Sequence, residues 1–439
     1  MAMGRFYPMN KWNEISDKKI GEKYYLYKFE NGLTLCVFPK KMSTFYAVCA
    51  VKYGANDCEF IPMGANEYTK PPLGVAHFLE HKMFDMPSGN DAFSDFAALG
   101  ANANAFTSSD KTAYLFSCTD NFYESLGVLC NMVSKPYFTN ESVKKEQGII
   151  AQEIRMYDDS PSSKLYRNLL LSLYSKHPIR KNVCGTVNSI SKITPKILYD
   201  CHKTFYNPMN TVICVCGDCD KEKVLEIVKK DMASLSGFVP QRMTVSEPKK
   251  INRHKVEEEM DVSLPIMMIG LKDCDLKATA EERQKRCAAV DILLNILFGV
   301  SSHLHEKTYT SGLLSGNFDE EYENSDSYAY AAISAASHEP EKLYDEICAY
   351  ISCLRLDKTI GDDEFLRAKR AIYADEICAY DSTEEIANSF VDFFFDGFDM
   401  LKYSSVIADV TKDDVISLLR SDMFCPDNFV LSVIKPNKK

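Results

Sequence analysis

The chain has 439 residues, of which 46% are apolar and 26% are charged, and its formal net charge is −11. This length favours two or more domains, the composition is ordinary for a folded protein, and the acidic balance argues against nucleic acid or an anionic membrane surface as the main partner. No apolar run approaches the roughly 20 residues of a membrane helix, and residues 1–19 lack the apolar core of a signal peptide, so we expect a cytoplasmic protein.

The chain is predicted to begin with strands. Residues 24–38 alternate apolar and polar side chains around a turn at Asn31-Gly32, which predicts a β-hairpin, and residues 45–53 form a further apolar strand. Residues 55–72 are polar and contain proline and glycine, so we expect a loop there.

The next predicted element is a helix that carries a metal-binding pattern. Residues 74–81 contain H-x-x-E-H, and a helix places His77, Glu80 and His81 on one face. Two imidazoles one turn apart can bind one zinc ion, and a carboxylate beside them can take a proton from a zinc-bound water. The alternative is a pair of surface histidines, so the pattern needs support from elsewhere in the chain.

The later elements are predicted from apolar periodicity. In the first half they are a helix at 91–99, strands at 102–107 and 112–118, helices at about 120–133, 140–158, 161–174, 194–205 and 221–233, and a strand at 211–216. In the second half they are strands at about 264–271 and 429–434, a hairpin at 314–336, and helices at 279–298, 302–310, 340–356, 362–380, 383–395 and 411–420.

The helix at 140–158 supports the metal site. It carries Glu146 and Glu153, which are two turns apart on one face. A catalytic zinc takes three protein ligands, and Glu153 is the better candidate because its apolar neighbours indicate a buried helix. These neighbours are Ile149, Ile150, Ile154 and Met156. The alternative is that both glutamates are solvated or paired with nearby basic residues, and spacing alone does not decide between the two.

A second possible metal site lies at Cys214, Cys216 and Cys219. Because residues 212–217 have the pattern of a buried strand that ends at a glycine, we favour packing of these thiols in the core. A zinc site would need a second pair of ligands with matching spacing. The 16 cysteines are scattered through apolar segments rather than regularly spaced, which agrees with a reducing compartment.

An internal repeat predicts the domain organisation. Each half closes with a helix that starts at a threonine (Thr194 or Thr411), a proline-containing turn, and a strand. We therefore predict an α+β fold of two homologous α/β-roll domains, each an antiparallel-rich sheet flanked by helices. The predicted domains are residues 1–235, with the metal site, and residues 255–439, without one, joined by a linker at 236–254 that contains glycine, proline and a basic run.

These features together resemble the M16 family of metallopeptidases, also called the pitrilysin or inverzincin family. The motif at 74–81, the segment Gly100–Thr107, the helix segment Glu146–Arg155 and Tyr206-Asn-Pro208 follow the order of the family. The segments at 77–84 and 152–158 are most similar to the bacterial YmfH-like branch.

The resemblance implies roles for individual residues. His77, His81 and Glu153 would bind one Zn²⁺ per chain, Glu80 would be the general base that activates the metal-bound water, and Glu146 would orient a ligand from the second shell. A further three residues, in the strand beside the zinc, would bind an extended peptide through backbone hydrogen bonds; they are Asn104, Ala105 and Phe106.

One stretch departs from the family. Tyr309 falls where many members have a substrate-holding arginine, and Ser315 or Gly316 falls where they have a tyrosine. The resemblance therefore implies a dimer, preferably with a homologous subunit that lacks the zinc motif.

The expected function is a zinc-dependent endopeptidase that hydrolyses peptides or short unfolded protein segments. The alternative is a non-catalytic M16-like subunit that binds peptide or supports assembly of a peptidase complex. No phosphate-binding, dinucleotide-binding or serine-hydrolase motif is present in the sequence.

Overall fold

The computed structural model of the chain describes residues 9–87, 89, 91–357 and 360–437. Its strands are β1 (Trp12–Asp17), β2 (Glu22–Lys28), β3 (Thr34–Pro39), β4 (Phe45–Val51), β5 (Phe60–Ile61), β6 (Asn102–Thr107), β7 (Thr112–Cys118), β8 (Thr211–Gly217), β9 (Gln241–Arg242), β10 (Lys255–Met260), β11 (Ile266–Asp273), β12 (Ser315–Asn324), β13 (Ala329–Ala336) and β14 (Phe429–Pro436). Its α-helices are α1 (Val75–Lys82), α2 (Ala92–Ala98), α3 (Phe122–Ser134), α4 (Asn140–Asp159), α5 (Pro161–Leu173), α6 (Val187–Ile190), α7 (Pro195–Phe205), α8 (Lys221–Met232), α9 (Ala280–Phe298), α10 (His303–Thr310), α11 (Pro340–Asp357), α12 (Asp362–Ala379), α13 (Thr383–Asp396), α14 (Tyr403–Asp409) and α15 (Lys412–Leu419).

The first sheet is built around β8. The strand order is β1-β2-β3-β8-β4-β7-β6, and β3 and β8 are parallel, whereas the other neighbours are antiparallel. Every residue of β8 is buried, as its unbroken apolar run requires of a strand covered on both faces. Helices α1, α2 and α3 pack on one face of this sheet, and α13 packs against β4 and β8 on the other.

The second sheet repeats five strands of the first. Its order is β10-β14-β11-β13-β12, with β10 and β14 parallel and the other neighbours antiparallel. This matches β3-β8-β4-β7-β6 strand for strand, including the one parallel pair. Helix α5 packs against β11 and β14, as α13 does against β4 and β8.

The repeat at the end of each half is also present in the structure. Thr194 caps α7 by accepting a hydrogen bond from the N–H of Ile197, and Thr411 caps α15 in the same way through Asp414. A 3₁₀ turn and the strand β8 or β14 follow. The prediction of two homologous α+β units is therefore confirmed.

The compact units of the structure divide the chain differently from the predicted domains. Among the described residues, one unit consists of those within 1–155, 181–244 and 378–401, and the other of those within 156–180, 245–377 and 402–439. Thus α5 lies in the first half of the sequence but packs on the second sheet, and α13 has the reverse arrangement. Because α5 and α13 each pack with the other half of the sequence, no single pair of continuous ranges describes the two units. The predicted domains 1–235 and 255–439 therefore stay a prediction based on the repeat.

Two further expectations can be compared with the structure. Cys214 and Cys216 on β8 are fully buried, in agreement with packing in the core, and all 16 cysteines are free thiols.

One helical segment, Ala280–Thr310, is long and apolar enough to cross a membrane, contrary to our expectation. However, 61% of its most apolar stretch is buried inside the protein, as in the core helix of a folded domain.

Candidate functional site

Helix α1 carries the motif and lies under the first sheet. Gly74 precedes it with φ of 87°, and a Cβ there would lie 2.4 Å from the carbonyl oxygen of Cys184, so only glycine fits this close approach. Apolar residues of α1, such as Phe78 and Leu79, are fully buried in the core. His77 and Glu80, although polar, are only 7% and 8% exposed, which places them in the interior and not on a solvated face.

The structure brings the three predicted ligands together. Nε2 of His77 lies 3.4 Å from Oε1 of Glu153, and Nε2 of His81 lies 3.5 Å from Oε2 of the same carboxylate. One ligand atom from each residue lies within 4.8 Å of the others. Two imidazole nitrogens and one carboxylate oxygen are the donor set of a catalytic zinc, with a fourth position left open. The residues therefore fit this metal.

The expected burial of α4 around Glu153 is correct on one side of the helix only. Ile149 and Met156 are 47% and 59% exposed, so the helix α4 is not buried all round. Its buried side is formed by Ile150 and Ile154, and Glu153 borders that side. The carboxylate faces the two histidines because of its place on α4, not because apolar residues surround it.

Glu146 contacts His81 at Nδ1, the ring nitrogen that does not face Glu153. Its Oε1 lies 3.0 Å from Nδ1 of His81, so an N–H at Nδ1 donates to the carboxylate and the Nε2 lone pair is left for a metal. Nζ of Lys82 lies 3.8 Å from the other oxygen of Glu146 and also pairs with Asp85. Sequence reasoning missed Lys82, because nothing in the local pattern indicates that a lysine next to the motif is buried.

The site is strongly acidic when it is described by its protein groups alone. Burial by itself would lower the pKa of His81, but the hydrogen bond to Glu146 and the negative charges of Glu80 and Glu153 outweigh it, so the pKa is raised above its ordinary value. The same negative charges would favour a cation at this place. A cation that binds His81 would have to displace the proton that the raised pKa favours on its imidazole.

Glu80 is held by a residue of the edge strand β6. The hydroxyl of Thr107 donates a hydrogen bond of 2.7 Å to Oε2 of Glu80. Thr107 is the last residue of β6, and it faces the same side of the sheet as α1 because Ala103 and Ala105, at alternate positions, pack into that core. This contact was also missed from the sequence.

The three predicted peptide-binding residues lie on β6, which is one of the two edge strands of the first sheet. Asn104 and Phe106 are exposed and Ala105 is half-buried. The N–H of Ala105 donates to Oδ1 of its neighbour Asn104 at 2.9 Å, so a side chain rather than another strand bonds this donor. The strand thus has the open edge that addition of a peptide needs.

The residues that depart from the family lie in the second unit. Tyr309 is on α10, is 55% exposed, and stacks on His305 with ring centres 5.6 Å apart. Ser315 and Gly316 begin β12, which is one of the two edge strands of the second sheet.

Comparison with known proteins identifies the family. The family profile "Insulinase (Peptidase family M16)" matches residues 60–187, and "Peptidase M16 inactive domain" matches residues 192–372. The protein named "Uncharacterized zinc protease YmfH" of Bacillus subtilis (strain 168) is 36% identical over 414 residues, which are 93% of this chain and 96% of that protein.

Solved structures with a similar fold include proteases of the same kind. An M16-like peptidase from Alicyclobacillus acidocaldarius has a TM-score of 0.90 at 30% identity and covers 95% of this chain and 99% of its own. The periplasmic protease PqqL from Escherichia coli shares the fold, with a TM-score of 0.72 at 16% identity, and the match covers 94% of this chain and 48% of that one. The profiles in both halves, the full-length relative and the shared fold show that this chain belongs to the M16 family of zinc proteases.

Proposed function

We propose that the chain is a zinc-dependent endopeptidase that hydrolyses peptides or short unfolded protein segments. The observation that carries the proposal is the convergence of His77, His81 and Glu153 on one point, with the carboxylate of Glu80 on the same helix face. Three ligands and an adjacent base are the parts that metal-assisted hydrolysis of an amide needs.

In this proposal each residue has one task. Zinc, when bound, supplies a Lewis acid that activates water and polarises the scissile carbonyl. Glu80 takes the proton of the attacking water and returns it to the leaving amine. Glu146 accepts a hydrogen bond from the Nδ1–H of His81 and would thereby hold the imidazole with Nε2 toward the metal.

The proposed substrate is an extended chain. Asn104, Ala105 and Phe106 belong to an edge strand whose end, Thr107, touches Glu80. A peptide that adds to this edge would take the N–H of Ala105 from the Asn104 side chain. Peptides and unfolded segments have the free backbone groups that this pairing needs, whereas most backbone groups of a folded protein are already bonded.

The alternative is a non-catalytic subunit that binds peptide. The match of residues 192–372 to an M16 inactive domain is the observation in its favour. That match lies outside α1 and α4, the helices that carry the zinc ligands and Glu80. The two functions can be told apart by experiment, because only the enzyme needs Glu80.

We further propose a homologous partner subunit and a cytoplasmic location. The relative PqqL matches this chain over 48% of its own length, and the positions of Tyr309 and Ser315 lack the groups expected for holding substrate. A related subunit could supply them. The free thiols of all 16 cysteines are compatible with a reducing compartment.

Metal removal tests the proposed function. After dialysis against a chelator the chain should lose hydrolysis of unstructured peptides, and one equivalent of zinc should restore it, because the carboxylate and imidazoles alone do not polarise the carbonyl. The measurement is peptide cleavage followed by mass spectrometry, alongside metal analysis of the same sample. Cleavage that survives complete removal of the metal would contradict the proposal.

A further inference from the structure

We propose that Thr107 is a positioning residue for Glu80. Its hydroxyl holds one oxygen of the Glu80 carboxylate, so that the other oxygen is the one that takes the proton from water. This inference rests on the proposed function, because it assigns a supporting residue to the base of that reaction.

The hydrogen bond is short and its direction is fixed. Oγ1 of Thr107 lies 2.7 Å from Oε2 of Glu80, and an ionised carboxylate can only accept, so the hydroxyl is the donor. The hydroxyl of Thr112 also lies near Thr107, at 3.4 Å, but its single proton goes to the carbonyl of Tyr53 at 2.8 Å. Thr112 is thus left only as an acceptor toward Thr107, and the proton of Thr107 goes to Glu80 because that contact is shorter, at 2.7 Å against 3.4 Å, and is made to a carboxylate.

Thr107 differs from other buried or half-buried threonines in the chain. The usual partner of such a hydroxyl is a backbone carbonyl, as for Thr112, which donates to Tyr53, and Thr204, which donates to Asp200. Thr107 instead donates to the side-chain carboxylate of Glu80, which lies on a different element. A residue that only completed the strand would have no need of that partner.

The consequence for Glu80 is an asymmetric carboxylate. The terminal torsion of glutamate is broad and roughly two-fold, so an unrestrained carboxylate presents either oxygen. The charge-assisted bond to Oε2 restrains this torsion and leaves Oε1 free. When Oε1 takes a proton, Oε2 remains an acceptor, so the same bond holds the group in place until the proton is delivered.

Three variants test the inference. T107V keeps the shape of the side chain but removes the donor, T107S keeps the donor, and T112V removes a buried hydroxyl of the facing residue on β7 that does not touch Glu80. We expect T107V to lower kcat about tenfold to a hundredfold, with KM within about twofold and zinc content unchanged. T107S should restore kcat to within about threefold of the parent, and T112V should lower the unfolding temperature but not kcat.

The outcome that overturns the inference is a T107V enzyme with the parental kcat, or an equal loss of kcat in T107V and T112V. Crystal structures of the parent and of T107V give a second readout that does not depend on activity. Glu80 should change its carboxylate orientation in T107V, and an unchanged orientation would also overturn the inference. If the zinc-loaded parent cleaves no peptide, the proposed function fails, and the two structures still decide whether Thr107 holds Glu80.

Discussion

Lys82 is only 1% exposed, although lysine side chains are almost always solvated. It follows the second histidine of the motif directly, and its ammonium group contacts Asp85 and Glu146. A buried cation needs such partners, and here one partner is the carboxylate that bonds His81. The residue thus links the packing of α1 to the orientation of a metal ligand.

At this residue we predict that K82M weakens zinc binding. Without the ammonium group, Glu146 loses the contact that positions its second oxygen, and so it orients His81 less firmly. Loss of a positive charge by itself favours a bound cation, but we expect the lost orientation to dominate, since loss of an outer partner typically costs about 10–100-fold in metal affinity. The zinc dissociation constant, measured by competition with a chelator of known affinity, should rise accordingly.

The control for this variant is K135M. Lys135 has a side chain that is 58% exposed, and its ammonium group bonds Asn131 and Asp231. Its removal should leave zinc affinity unchanged, because neither partner is a predicted metal ligand or Glu146. Equal zinc affinity in K82M and the parent would show that Glu146 does not depend on the lysine.

The candidate site was predictable from the sequence only in part, and single residues show why. The positions of His77 and His81 follow from helical spacing, which is a local property. The placement of Glu153 came from family resemblance, and the local argument for it misjudged the exposure of Ile149 and Met156. The contacts of Lys82 and Thr107 join different elements, so no local pattern could predict them.

At the scale of elements, the most specific prediction concerns the strand β6 and its role in peptide binding. We predict that A105P raises KM for several unrelated peptides and leaves zinc content unchanged, because proline removes the N–H that an added strand would take. Steady-state kinetics with a panel of unstructured peptides is the measurement. A105G keeps this N–H and is the matched control, which should bind peptides nearly as the parent does. Equal KM values for A105P and A105G would argue against strand addition at this edge.

The elements themselves were mostly predictable because their signals are periodic. The motif helix, the hairpin of β6 and β7 and the buried strand β8 all lie where their apolar patterns indicate. The strands β1 and β10 were missed. In β10, Val256 and Met260 are separated by three glutamates, and the strand is formed by parallel pairing with β14, which is remote in sequence.

At the scale of the whole molecule, the duplication is the main feature. Two sheets share one strand order, and each is covered by a helix from the other half of the sequence, α13 on the first and α5 on the second. The repeat was visible in the sequence because threonine caps and proline turns are local signals. The exchange of helices was not, since it depends on which sheet offers the apolar face.

We predict that the chain works with a homologous partner subunit. The prediction follows from the family resemblance, since Tyr309 and Ser315 stand where substrate-holding groups are expected and a related subunit would have to supply those groups. Light scattering should show a complex when the chain is mixed with a co-expressed M16 subunit, and activity should rise with partner concentration to saturation. A monomer with full activity that no partner changes would contradict this prediction.

The central claim is that Glu80 acts as the base in a zinc-dependent hydrolysis, and the comparison of E80Q with the parent tests it most directly. Both proteins are loaded with zinc, and peptide turnover is measured on samples of equal metal content. The account predicts one zinc per chain in both and a kcat lower by about 10²–10⁴-fold in E80Q, whereas E67Q, which changes an exposed glutamate, keeps the parental rate. An E80Q protein that binds zinc and cleaves peptides at the parental rate would contradict the account.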